Sequence, residues 1–140
     1  MEGDGVMEQM IPPIKAEDMR RFVALMEPVV AIGKGRHSIA GLVENLNQRQ
    51  CQAWCIRHEG EIRSVGVTRL REYGTGLKVM QCEWGSGDKD DLKISGAFEK
   101  IEAIARRVGA TRLQVQGRKG WLREFGPGWA EVSRTIEKEL

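Results

Sequence analysis

LKISGAFEKIEAIARRVGATRLQVQGRKGW, residues Leu92 to Trp121, decides the fold. Ile94, Phe98, Ile101, Ala105 and Val108 recur at steps of four, three, four and three, one apolar stripe along an amphipathic helix. Gly109 stands where a left-handed cap would end it. Leu113 and Val115 then alternate with Arg112, Gln114 and Gln116, as in a strand with one buried face. Gly117-Arg118-Lys119-Gly120-Trp121 follows at the C-terminal end of that strand, where open α/β sheets tend to build their sites.

Upstream, the period is two. Gln52 to Arg57 reads as a strand, His58 to Glu61 as a tight turn and Ile62 to Leu70 as the hairpin partner. Tyr73-Gly74-Thr75-Gly76 is a second turn, and Leu77 to Trp84 a third strand with Leu77, Val79 and Gln81 on one face. A helix between the third strand and the Leu113 strand is a right-handed crossover, so those two strands should be parallel neighbours, splayed at their C-terminal ends.

Further upstream, Met19, Phe22, Val23, Met26 and Val30 share one face of a helix from about Glu17 to Ile32, which Pro28 should bend or end. Gly33 to His37 reads as a mobile basic loop, and Ser38 as the N-cap of a second helix carrying Ile39, Leu42, Val43 and Leu46. A short apolar piece, Met10-Ile11, precedes Pro12-Pro13. The order is β-α-α-β-β-β-α-β-α-β, an α/β fold with a mixed sheet and helices on both faces.

The chain has 140 residues, 41% apolar and 30% charged, the size and composition of one globular domain. Residues 1–8 are expected to fray, with Met7 a candidate start, and 9–140 to form that domain. The net charge of +2 does not by itself imply nucleic acid, although Arg106 to Arg123 holds six basic residues and no acid before Arg123. The three cysteines include no Cys-x-x-Cys pair, so buried free thiols are expected rather than a metal site; Cys51 and Cys55 should share a face, with Cys82 near them. With no secretory signal and no bilayer-length apolar run, the expected location is cytoplasmic, with no membrane partner.

This order resembles the GNAT (N-acetyltransferase) fold. The resemblance rests on Ala53-Trp54 and Val65-Gly66-Val67-Thr68 in the meander, on Ala105-Arg106-Arg107-Val108-Gly109-Ala110, and on Gly128-Trp129, similar to the Gly-Phe that opens the family's last strand. Residues Gly117 to Arg123 and Glu137-Lys138-Glu139-Leu140 also resemble small GNAT-like proteins of tailed phages. The family's acetyl-CoA turn falls on Trp84, Gly85, Ser86 and Gly87. Asp88, Asp90 and Asp91 beside it satisfy a helix N-terminus themselves and oppose a pyrophosphate there, so weak cofactor binding is expected.

The resemblance implies a strand glutamate as general base, and Glu83 occupies that strand, with Cys82 and Trp84 facing the other way. It also implies a tyrosine as general acid, but Trp121, Leu122, Arg123, Glu124 and Phe125 fill that place, and the one tyrosine is Tyr73. Arg118, Trp121 and Arg123 are candidates for substrate or phosphate contact, by guanidinium fork and stacking. Three readings stay open: an acyl-CoA-dependent N-acyltransferase, a non-catalytic virion component or host-directed binding protein, and a nucleic-acid-directed protein using residues 106–123.

Overall fold

The computed structural model describes residues 5–32, 37–85, 96–116, 128–130 and 138–140. Five strands and three helices are ordered β1 (Met7–Met10), α1 (Ala16–Ile32), α2 (Ile39–Asn47), β2 (Gln52–His58), β3 (Glu61–Glu72), β4 (Lys78–Gly85), α3 (Ala97–Arg107) and β5 (Arg112–Gln116). The strands form one sheet in the order β1-β2-β3-β4-β5. β1 to β4 pair antiparallel, and β4 pairs parallel with β5, from Val79↔Arg112 to Glu83↔Gln116. The crossover therefore produces the parallel pair its sequence predicts. The closing helix and strand expected after β5, and the basic loop before His37, lie outside the described residues. So does residue 117, where the splay would open. Met7 and Glu8, in the stretch expected to fray, pair with Ile56 and Cys55.

Local chemistry accounts for the element ends. Ser38 is extended and its Oγ accepts from the Gly41 N–H at 3.0 Å, capping α2 as expected. Glu59 and Gly60 have φ of +53° and +79°, the two positive values of a type I′ hairpin turn. Gly109, at φ +88°, closes α3 in a Schellman motif: its N–H donates to Arg106 O and the Ala110 N–H to Ala105 O. The described helix α3 begins at Ala97, behind Gly96 in the left-handed region, and Ile94 of the expected stripe lies outside the described residues. Val108 is 43% exposed at the C-cap and drops off the apolar stripe. Pro28 does not end α1, which runs on to Ile32. Pro28 removes the N–H that Ala24 O would accept, but both residues are exposed, so water can serve that carbonyl.

Two apolar layers flank the sheet. On one side α3 packs Ala97, Ile101 and Ala105 against Trp54, Ile56, Met80, Cys82 and Trp84. On the other, α1 and α2 pack Phe22, Met26, Leu42 and Leu46 against Cys51, Ala53, Cys55, Val65 and Val67. Strand alternation thus sends Cys82 to the layer opposite Cys51 and Cys55, correcting the expectation that the three lie together. Leu77, assigned to a buried face, is 36% exposed, because it lies at the hairpin end before β4 begins.

Gly66 pairs with Trp54 on one side and Trp84 on the other. A Cβ at residue 66 would fall inside the indole ring of Trp84, so only glycine lets that ring lie on the sheet. The buried Trp54 indole N–H donates to Thr68 Oγ1 at 2.8 Å, and Thr68 Oγ1 donates to Gln52 Oε1 at 3.1 Å. At the sheet's other edge Arg57 joins β1, β2 and α1, with Nε 2.7 Å from Glu8 and a terminal nitrogen 3.0 Å from Asp18.

Two predictions concern this core. Gly66→Ala should lower stability by about 1–3 kcal/mol or more in denaturant unfolding, because the rigid ring cannot yield as a flexible side chain would. All three cysteines are free and buried. Burial, then the Glu83 carboxylate, pushes the Cys82 thiol up to about 12. Burial, then the Glu8 carboxylate, pushes Cys55 up to about 12 against the opposing effect of Arg57. Both thiols ionise near 9.0 when unfolded, so their protonation supports the fold fully below that pH. Stability should then fall as pH rises from 9.0 toward about 12, measured by urea midpoints across that range.

Candidate active site

Strand β4 is the structural centre of the site. Cys82 and Trp84 point into the α3 layer, so Glu83 and Gln81 between them face α1 and α2. Glu83 is half-buried, and its partner in the last described rung of the parallel ladder is Gln116. Trp84 and Gly85 run one and two residues past that rung, still paired to β3 through Gly66 and Val65. The Trp84 indole N–H is buried and has no acceptor among the described residues.

The surroundings of Glu83 follow from register. Val67 lies directly across from it on β3, and Arg69 across from Gln81. Gln81 in turn faces Gln114 on β5, and its Nε2 donates to Gln114 Oε1 at 3.1 Å. Val67 belongs to the α1–α2 layer and Leu113 and Val115 pack in the α3 layer, so Arg69, Gln81, Glu83 and Gln114 share the face beneath α1 and α2. All four are half-buried. Among the described residues neither Arg69 nor Glu83 forms a salt bridge. Both act on Cys51: burial pushes that thiol up, Arg69 draws it down and Glu83 adds to the rise.

Of the residues expected at the site, Glu83, Trp84 and Gly85 stand together at the end of β4. Glu83 faces one layer and Trp84 the other, so they serve different sides of the sheet. Ser86, Gly87, Arg118, Trp121 and Arg123, with Asp88, Asp90 and Asp91, lie outside the described residues. In the basic stretch, Arg106 pairs with Glu102 at 2.7 Å, and Arg107 and Arg112 are exposed. Trp129 of the Gly-Trp pair is half-buried and meets Phe98 of α3 edge-on, with ring centroids 5.8 Å apart. Tyr73, under the Arg71 guanidinium at 4.9 Å, lies in the β3–β4 turn, at the opposite end of β4 from Glu83. Arg69 and Gln114, which register places beside Gln81 and Glu83, are not singled out by the sequence reading. Their signal was a polar side chain on strand positions whose neighbours, Val65 and Val67 or Val79, keep that face apolar.

Among the described residues no group of three or more His, Cys, Asp or Glu is placed to hold a metal, and no helix is long and apolar enough to cross a membrane.

Comparison of the whole chain with solved structures identifies the fold. A putative acetyl transferase from Pyrococcus furiosus superimposes with a TM-score of 0.65 at 15% identity, over 96% of this chain and 99% of that one. A predicted acetyltransferase from Clostridium acetobutylicum, solved with acetyl-CoA, gives 0.64 at 9% identity, over 95% and 94%. A transcriptional regulator from Bacillus halodurans gives 0.68 at 11% identity, over 96% and 99%. No family model matches the sequence, and no curated protein matches it. The chain therefore has the mixed α/β fold of the GNAT-type acetyltransferases, shared in architecture with proteins only distantly similar in sequence.

The placement of Arg69 and Glu83 around Cys51 predicts opposite effects of neutralising them. Glu83→Gln should lower the Cys51 pKa and Arg69→Met should raise it, read by carbon NMR of labelled cysteine through a pH titration. Unchanged values in both variants would mean that the two charges do not share that face.

Proposed function

We propose that the chain is an acyl-CoA-dependent N-acyltransferase with Glu83 as its general base. The observation that carries this is a half-buried carboxylate with no salt bridge among the described residues, at the last rung of the parallel β4–β5 ladder in an acetyltransferase fold. The end of β4 suits an acyl-CoA donor in two respects. Its strand continues past the described ladder at Trp84 and Gly85, and the buried Trp84 N–H has no acceptor among the described residues. A bound acyl-CoA supplies an activated thioester. Glu83 takes a proton from the acceptor ammonium, directly or through one water. The freed amine lone pair forms the C–N bond at the thioester carbonyl as the C–S bond breaks, and the sulfur takes the electron pair and the amine's second proton. Tyr73 lies too far along the sheet to deliver that proton.

Donor affinity is expected to be low, because Asp88, Asp90 and Asp91 put negative charge where the resemblance places the pyrophosphate. The same acids, and the lack of a tyrosine near the site, favour a second reading. In it the chain is a non-catalytic GNAT-fold protein, a virion component or host-directed binder, as the sequence resemblance of Gly117 to Arg123 and Glu137 to Leu140 to phage proteins implies.

Calorimetry with acetyl-CoA and a thiol-release assay with an amine panel separate these readings. Weak or absent acetyl-CoA binding is expected; a Kd in the low micromolar range, about −8 kcal/mol, would overturn that expectation and favour the enzyme reading, as would measurable thiol release. Glu83→Gln should then cut kcat by roughly 10²- to 10⁴-fold and leave the acetyl-CoA Kd unchanged. Full activity in Glu83→Gln would remove Glu83 as base, and no thiol release with any amine would leave the second reading.

A further inference from the structure

Arg69 and Glu83 present an opposite-charge pair that is not joined. Both are half-buried on the face beneath α1 and α2, on adjacent strands and offset by two residues in register. Such diagonal neighbours lie roughly 7–8 Å apart at the backbone, well within the reach of an arginine. Yet no salt bridge within 4.0 Å joins them, and neither pairs elsewhere among the described residues. Holding two charges partly out of water without a partner is unfavourable. A ligand that supplied the complementary charges would relieve both.

The Gln81–Gln114 bond completes the row. Gln81 Nε2 donates to Gln114 Oε1, and the Gln81 carbonyl and the Gln114 amide N–H groups on the same face have no side-chain partner among the described residues. Positive fork, amide donors and acceptors, and carboxylate thus stand side by side across β3, β4 and β5. Aliphatic neighbours Val67 and Val79 floor the row. A simple amine would satisfy Glu83 and leave Arg69 unmet. A molecule with an amine and a carboxylate close together satisfies both.

We propose that this face is the acceptor subsite for a free amino acid or a similar small zwitterion, with the Arg69 guanidinium binding the carboxylate and Glu83 receiving the amine. The assignment rests on the acyltransferase reading for the fate of the amine, but not for the binding itself. Arg69 acts as the specificity-determining residue, because its planar fork matches a carboxylate in a way that lysine does not.

The test measures binding and turnover separately on the full chain. Binding of the common L-amino acids, and of their carboxamides, is followed by calorimetry or NMR without any acyl donor. The free acids should bind roughly 10- to 100-fold more tightly than the carboxamides, the range expected for one charge-assisted hydrogen-bonded contact. Arg69→Met should erase that difference while leaving carboxamide affinity unchanged, and Arg69→Lys should restore it only in part. Glu83→Gln should leave the preference for the acid over the carboxamide intact. If Arg69→Met fails to fold, as its melting temperature would show, the acid-to-carboxamide ratio in wild type and Arg69→Lys still decides.

Equal binding of acids and carboxamides to wild type overturns the subsite, even if simple amines are acylated and the acyltransferase reading stands. Acid-selective, Arg69-dependent binding with no thiol release upholds the subsite and removes the acyltransferase. Acid selectivity that survives in Arg69→Met assigns the carboxylate to another residue and overturns the role given to Arg69.

Discussion

Everything in this molecule depends on β4 being hydrogen-bonded along both edges, antiparallel to β3 and parallel to β5. A strand held on two sides cannot slip by one residue without moving every side chain to the wrong layer. Its alternation therefore assigns Met80, Cys82 and Trp84 to the α3 layer, and Val79, Gln81 and Glu83 to the α1–α2 side. The two sides differ in chemistry. Against α3 the strand is apolar, apart from one indole N–H. Against α1 and α2 it begins apolar at Val79 and becomes polar toward its C-terminal end. The change occurs where the parallel ladder reaches its last described rung, so the strand that organises the core also carries the candidate site.

The polar row is supported by its surroundings. Helix α1 packs on β3 and β4, and the Arg21 Nε–H donates to Ile62 O at 3.0 Å, which ties that helix to the start of β3. Arg57, paired with Ile62 across β2 and β3, holds the same part of α1 through Asp18. These contacts lie near the β2–β3 hairpin and involve neither Arg69 nor Glu83, which form no salt bridge among the described residues. The charges that brace the helix are thus distinct from the pair to which the acceptor subsite is proposed.

Much of the fold was legible because it rests on short-range rules. The stripe Phe98, Ile101 and Ala105, the cap at Ser38, the Glu59-Gly60 turn and the left-handed Gly109 each follow from a local preference. The parallel β4–β5 pair follows from crossover handedness. What failed to show depends on context. Pro28 reads as a bend or an end, yet it does not end α1, because Ala24 and Pro28 are exposed and water can serve the freed carbonyl. Cys82 reads as a neighbour of Cys51 and Cys55 until the register shows it on the other face. The site divides the same way. The strand and face of Glu83 were visible from parity. Arg69 and Gln114 were not, because their meaning lies in the register that joins three strands.

The indole of Trp84 lying on the bare backbone of Gly66 makes residues 66 and 84 a single unit, although they are 18 positions apart in the chain. Neither can change freely alone. A side chain at 66 demands a smaller or flatter residue at 84, and losing the ring at 84 leaves a groove over 66 that invites a side chain to fill it. Lineages descending from this chain should therefore alter the two positions together, and a search for coevolving pairs would find this contact without any coordinates.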